Sequence, residues 1–274
     1  MLFSDAGHQL GILSGGCLES DIVKKAQRVM DDGSARTLTY DDEDEQDIAF
    51  KLGVGCGGVV HIALVPLDQH NGYLALDTVF ETLSSGNQCE WEVDIKGTGG
   101  RCNPLSGPNG KVGYSSFFQH GTSHFLSVHF MPPIHLLVVG GGYDATYLTR
   151  LAHMQGWIVS LWDPRPAQGR VEHFGEVNYI VDEPNSDDLS LHLLEHRISA
   201  AVIMSHHRDI DAQALRVLSQ HNLTYIAMLG PRHRKQEILD LAALPHTEFC
   251  DFFASPAGFD IGGDLPEHLS LIHI

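Results

Sequence analysis

The sequence predicts an α/β fold, with a parallel sheet covered on both faces in its C-terminal half and a smaller α+β domain ahead of it. Three observations carry this. Residues 134–139 (IHLLVV) are an almost wholly apolar run, as expected of a parallel strand buried on both sides. Gly140-Gly141-Gly142-Tyr143-Asp144-Ala145 follows at once, matching G-x-G-x-x-A, and leads into a helical stretch that ends near Gly156. A second apolar run, 157–162, then closes on Asp163. Strand, glycine turn, helix, strand and acidic residue at a spacing of roughly 20 residues make up the βαβ unit of a Rossmann-like domain.

Each part of that unit has a physical purpose. The first glycines turn the chain and let the backbone approach a diphosphate, and Ala145 lets helix and strand pack closely. The helix N-terminus favours an anion, and Asp163 is placed to accept bonds from ribose hydroxyls. Further strands are expected at 200–204 and 225–229, with a helix at about 211–221 between them. Their C-terminal ends run into Ser205-His206-His207-Arg208 and Gly230-Pro231-Arg232-His233-Arg234, which places these polar and basic residues on the edge where such sheets bind ligands. Arg232 and its neighbours suit an anion, and one of His206 and His207 is expected to reach the site.

In the first half, Ser14-Gly15-Gly16-Cys17-Leu18-Glu19 leads into a helix with Ile22, Val23, Ala26, Val29 and Met30 at helical spacing and Gly33 as its cap. Gly15 and Gly16 permit close backbone approach, and a cysteine at a helix start has a lowered pKa and more thiolate. Cys17 is therefore a candidate ligand or nucleophile. A strand at 36–40, an acidic run at 41–45, and Gly53-Val54-Gly55-Cys56-Gly57-Gly58 follow, then a strand at 59–65 that reads as buried. Two glycine-flanked cysteines suggest loops converging on one site; the competing reading is two tight turns with buried thiols. Residues 72–83 predict one helix. Residues 96–121, rich in glycine and broken by Pro104 and Pro108, read as turns and linker between strand-like stretches at 90–95 and 125–130. The resulting domains are 1–95, a connecting segment 96–133, and 134–274.

Composition narrows the function. With Lys+Arg 17 against Asp+Glu 35, the formal net charge is −18 over 274 residues. This argues against general nucleic-acid binding, which needs clustered cations. No stretch approaches the roughly 18 apolar residues of a membrane span, and no signal segment is evident, so a cytoplasmic protein is expected. Five cysteines at irregular spacing do not form a disulfide framework. The 18 histidines are scattered and read mostly as surface or packing residues.

Taken together, the two cysteine motifs (residues 14–19 and 55–58), the glycine loop at Gly140, Asp163-Pro164-Arg165 and the stretches 205–211, 225–234 and 255–262 resemble, in order, the XdhC/CoxI family of accessory factors for molybdenum hydroxylases such as xanthine dehydrogenase. The resemblance implies a protein that binds the molybdenum cofactor (molybdopterin), supports its sulfuration and inserts it into the apo-hydroxylase, a chaperone's task more than an enzyme's. It implies Cys17, then Cys56, as metal ligands. The glycine-rich turns, with Gly15, Gly16, Gly140, Gly142, Ala145, Asp163, His206 and Arg232, would receive the pterin and its phosphate. Implied partners are an apo-hydroxylase of the xanthine dehydrogenase type and a sulfur-donating cysteine desulfurase; a homodimer is expected because two such domains often complete a site across an interface. The family's usual histidine in the glycine loop is Tyr143 here, and the loop that usually precedes the first motif is expected to be missing. The alternative is an NAD(P)-dependent oxidoreductase using the glycine loop and Asp163, although no hydride-transfer acid or base accompanies them. A scaffold with an empty Rossmann site is a third reading.

Overall fold

The computed structural model describes residues 1–13, 16, 18–41, 44, 47–48, 58–105, 115–181, 186–245 and 253–258. The chain divides into two compact units, Met1–Pro132 and Pro133–Ile274.

In the first unit, β1 (Leu2–Phe3) and β2 (Gln9–Leu10) form a short antiparallel ribbon. Helix α1 (Glu19–Asp32) buries Ile22, Ala26 and Val29 along one stripe, and Gly33 caps it through its N–H to the Val29 carbonyl. The stripe packs on Leu38, Tyr40 and Leu64 from β3 (Arg36–Asp41) and β4 (Val59–Leu64), an antiparallel pair. The expectation of a buried strand at 59–65 is corrected here. β4 pairs with β3 in a two-stranded ribbon, so Val59 and Val60 are exposed, and only Leu64, with half-buried Ile62 beside it, packs on the core.

The single helix expected at 72–83 is also revised. A 3-10 turn, Gly72–Ala75, holds Tyr73, Leu74 and Ala75 at positive φ, and regular helix α2 begins only at Leu76 (Leu76–Ser84). Long-range contacts account for the break: Leu74 is buried and its carbonyl accepts the Trp91 indole N–H at 2.7 Å. Strands β5 (Gln88–Asp94), β6 (Gly100–Leu105), β7 (Ser115–His120) and β8 (Ser123–Phe130) form one antiparallel sheet in the order β6-β5-β8-β7. Residues 96–133, expected as a connecting segment, thus supply three strands of a sheet built on β5. Glycine and proline obscured the strand at 100–105, which tolerates Pro104 because β6 is an edge.

The second unit is a six-stranded parallel sheet: β9 (His135–Val139), β10 (Ile158–Trp162), β11 (Tyr179–Val181), β12 (Ala200–Ile203), β13 (Tyr225–Met228) and β14 (Phe253–Ala254). Helices α3 (Tyr143–Met154), α4 (Ser186–Glu195), α5 (Arg208–Leu218) and α6 (Arg232–Ala242) connect them. The spatial order is β11-β10-β9-β12-β13-β14, the Rossmann order, with every pairing parallel. β9 shows why the sequence is apolar without alternation. Leu137 and Val139 enter one core with Trp162, Ile203 and Leu215, while Leu136 and Val138 enter the other with Ala145, Val159 and Phe174. Among the described residues, no helix is long and apolar enough to cross a membrane.

Candidate functional site

The strand order reverses between β9 and β12: the chain winds outward through β10 and β11, then returns to the other side of β9. Ligands bind such sheets at this switch point, beyond the carboxyl ends of the strands. Three loops meet there, after β9, β12 and β13.

The loop after β9 is pressed between its neighbours. The Gly140 N–H donates to the Trp162 carbonyl at 2.9 Å, its φ is +113°, and a Cβ on it would lie 2.5 Å from the Ser205 Cα. Only glycine meets both demands. A Cβ on Gly141 would lie 2.2 Å from the Gly169 amide nitrogen, so the chain after β10 closes over this loop. Gly142 precedes α3, with the Asp144 carboxylate 2.6 Å from where its Cβ would be. Ala145 is fully buried against β9, the close packing its size was expected to serve.

Asp163 is present at the end of β10, but it does not have the role assigned to it as a ribose acceptor. Its side chain is fully buried. One oxygen accepts the Gly141 N–H at 2.7 Å and the Arg165 Nη2 at 2.6 Å, and the other accepts the backbone and Nε of Arg165 at 3.0 and 2.9 Å. Burial pushes this carboxyl's pKa up, but the Arg165 guanidinium and the two amide donors outweigh it and hold the group below the usual carboxylate range. Asp163 is therefore a brace that ties the glycine loop to the chain after β10.

The opposite wall comes from the loops after β12 and β13. His206 sits at φ +58°, and its Nε2 lies 2.7 Å from the Asp144 Oδ2. The hydrogen bond to Asp144 raises its pKa against the opposing effect of burial. Asp144 itself is buried in the first turn of α3. His207 begins α5 as its N-cap, so of the two histidines it is His206 that the structure brings to the glycine loop. Behind it the Ser205 hydroxyl donates to the almost fully buried Asp211, whose other oxygen accepts from Arg234 Nη2 at 2.6 Å.

Of the site residues expected from sequence, Gly140, Gly142, Ala145, Asp163 and His206 are gathered at this crevice. Arg232 is exposed and lines a different cleft of about 530 Å³, with Lys235, Leu239, Phe253 and Ser255, beside α6 and β14. The basic side chain that turns inward is Arg234. Gly15, Cys17 and Cys56, and with them the idea of converging cysteine loops, lie outside the described residues. Gly16 is described, and its N–H donates to Glu19 Oε2 at 2.9 Å, while the Leu13 N–H donates to Glu19 Oε1 at 2.9 Å. Glu19, Asp211 and Arg234 stand within the motifs expected from sequence but without the partners the structure gives them, and for Asp144 the only signal was an acidic residue inside a glycine fingerprint. The described cysteines, Cys89 and Cys102, are free thiols. Burial, with the neighbouring Cys102, pushes the Cys89 thiol up to about 12, which makes it a poor metal ligand.

Comparisons with known proteins agree with this architecture. Residues 136–272 match the XdhC Rossmann domain, and residues 1–41 match the XdhC and CoxI family. A Bacillus subtilis (strain 168) protein described as a probable subunit of xanthine dehydrogenase is 27% identical, over 99% of this chain and 84% of its own length. A Bacillus halodurans protein whose crystal structure is titled a xanthine dehydrogenase superposes with a TM-score of 0.74 at 26% identity, covering 98% of this chain and 81% of that one. With residues 1–41 and 136–272 matched in order, and the parallel sheet and glycine loop in place in the second of these, the chain belongs to the XdhC and CoxI family.

Proposed function

We propose that this protein is an accessory factor for a xanthine dehydrogenase-type molybdenum hydroxylase: it binds the molybdenum cofactor, supports its sulfuration and inserts it into the apo-enzyme. The observation that carries this reading is family membership through both units, with relatives whose names link them to xanthine dehydrogenase. The residues present suit the group. Molybdenum in its pterin cofactor takes sulfur ligands, and of the five cysteines Cys17 and Cys56 are flanked by glycines in the sequence, whereas Cys89 is buried with a raised pKa. The switch-point crevice supplies the exposed His206 imidazole for a phosphate. Bound, the cofactor would bring the metal and sulfur chemistry, while the chain holds and shields it. The apo-hydroxylase, a sulfur-donating desulfurase and a second copy of this chain are the partners this role calls for, in the cytoplasm.

The test is retention of molybdenum and pterin after incubation with molybdenum cofactor and gel filtration, comparing wild type, Cys17→Ser and Cys56→Ser. Wild type is expected to retain both. Cys17→Ser is expected to lose at least the roughly 10–100-fold in affinity that removal of a supporting group costs a metal site. Wild type that retains neither overturns the carrier role.

A further inference from the structure

What the crevice holds is constrained by how its donors are used. The Gly140 and Gly141 amides, at the start of the glycine loop, are engaged by the Trp162 carbonyl and by Asp163, which leaves the start of α3 as the place where a diphosphate would approach. In the first turn of α3, where the diphosphate would rest, the Asp144 carboxylate is buried with its Oδ1 on the Ala145 amide. A fixed negative charge there repels two closely spaced phosphates. Facing it, the His206 side chain is 61% exposed and bonded to Asp144 through Nε2 alone. Among the described residues no hydrogen-bond partner is seen for its Nδ1.

We infer that the His206–Asp144 pair is a binding device in its own right, in which Asp144 orients His206 and His206 donates from Nδ1 to a single terminal phosphate-type anion, to the exclusion of a dinucleotide's diphosphate. This rests on the cofactor-holding role proposed above, and the phosphate of the pterin cofactor is an anion of this class. The chemistry is that of a carboxylate–histidine pair. The acceptor at Nε2 fixes which nitrogen carries the proton in the neutral ring, and it favours the imidazolium, which alone can donate from both nitrogens. The charged groups acting on His206 are Asp144 from α3, Asp211 from α5 and Arg234 from α6; the two carboxylates favour its protonated form and Arg234 opposes it. Asp211 and Arg234 are paired with each other, which leaves the His206–Asp144 pair to set the local balance. A left-handed backbone at a histidine costs energy, and here it is what aims the ring across the crevice at α3. Anion binding should therefore be proton-linked, full while His206 is protonated and lost as pH rises through its raised midpoint.

The experiment is an NMR titration of the His206 imidazole in the intact chain, its signal assigned by disappearance in His206→Gln, with and without inorganic phosphate. NADH binding is followed in parallel by fluorescence. Phosphate is expected to raise the His206 midpoint, and Asp144→Asn to lower that midpoint and weaken phosphate binding several-fold; NADH should not saturate. A His206 midpoint indifferent to phosphate overturns the inference, as does saturable NADH binding that Gly142→Val abolishes. If Asp144→Asn does not fold, the wild-type titration decides alone. No arm uses molybdenum cofactor. Loss of the phosphate response with cofactor still retained therefore overturns this inference only, and a phosphate response in a protein that retains no cofactor supports the anion site while overturning the carrier role.

Discussion

Asp211 and Asp163 show how individual residues brace the crevice. Both carboxylates are buried, and each is neutralised by one arginine: Arg234 for Asp211, Arg165 for Asp163. A buried pair contributes little net stability, but removing one partner strands the other charge. Arg234→Ala should destabilise the protein by about 3–5 kcal/mol, read from urea denaturation. A double variant, Arg234→Met with Asp211→Leu, should recover most of that loss, because no unpaired charge remains. Were the pair merely decorating the surface, the single variant would cost under about 1 kcal/mol.

At the scale of the element, α1 and the motif ahead of it form one structure. Glu19 is the first residue of α1, and its carboxylate reaches back to accept the Leu13 and Gly16 N–H groups. In the sequence that glutamate reads as the tail of a motif; in the structure it ties Leu13 and Gly16 to the start of α1. Glu19→Ala should cost about 1–3 kcal/mol and abolish hydrogen-exchange protection at Leu13 and Gly16. Glu19→Gln, with one carbonyl oxygen left, should lose protection at one of the two amides. In the antiparallel sheet, Cys89 on β5 is fully buried with its thiol pushed up to about 12. A thiol reagent should leave it unmodified in the native protein and label it only after denaturation.

For the molecule as a whole, the histidines set the pH dependence of stability. At the amino end of β9, His135 Nε2 and His192 Nε2 both meet the buried Ser160 hydroxyl, at 2.8 and 2.7 Å, and the His196 ring lies tilted beside His192 with ring centres 4.3 Å apart. Burial first, and then neighbouring histidines, push His135 and His192 down to about 4. Their folded pKa values lie below the unfolded value, so their contribution is fully present above about pH 6.5 and is lost as pH falls from there to about 4. His206, shifted upward, acts in the opposite sense: its contribution is full below about pH 6.5 and fades as pH rises through its folded pKa. Stability should therefore peak near pH 6.5 and fall on the acid side by up to roughly 1.4 kcal/mol per pH unit for each of the two buried histidines. Urea midpoints from pH 4 to 8 measure this, and His192→Gln should flatten the acid limb.

The histidine cluster also marks where sequence reading stops. The βαβ unit was legible because everything that encodes it is local: an apolar run, a glycine turn and a second apolar run within about 30 residues, each with its own periodicity. The cysteine motifs were legible as patterns for the same reason. Several residues of the crevice were named from the same local patterns, but their pairings were not, because those contacts join residues far apart in sequence. His206 meets Asp144 across 62 residues, Ser160 meets His192 across 32, and Arg234 meets Asp211 across 23. Which strands lie side by side is decided by how the whole sheet buries its two faces, and no local pattern records that β12 returns to β9. The same holds for Asp163, whose spacing fitted a ribose contact until Arg165 and the Gly141 amide turned it inward. The sequence by itself determined the family, the parallel sheet and the position of the glycine loop. Only the tertiary structure decided which charges face the crevice, because in a buried setting a charge takes its partner from whatever the fold brings within reach.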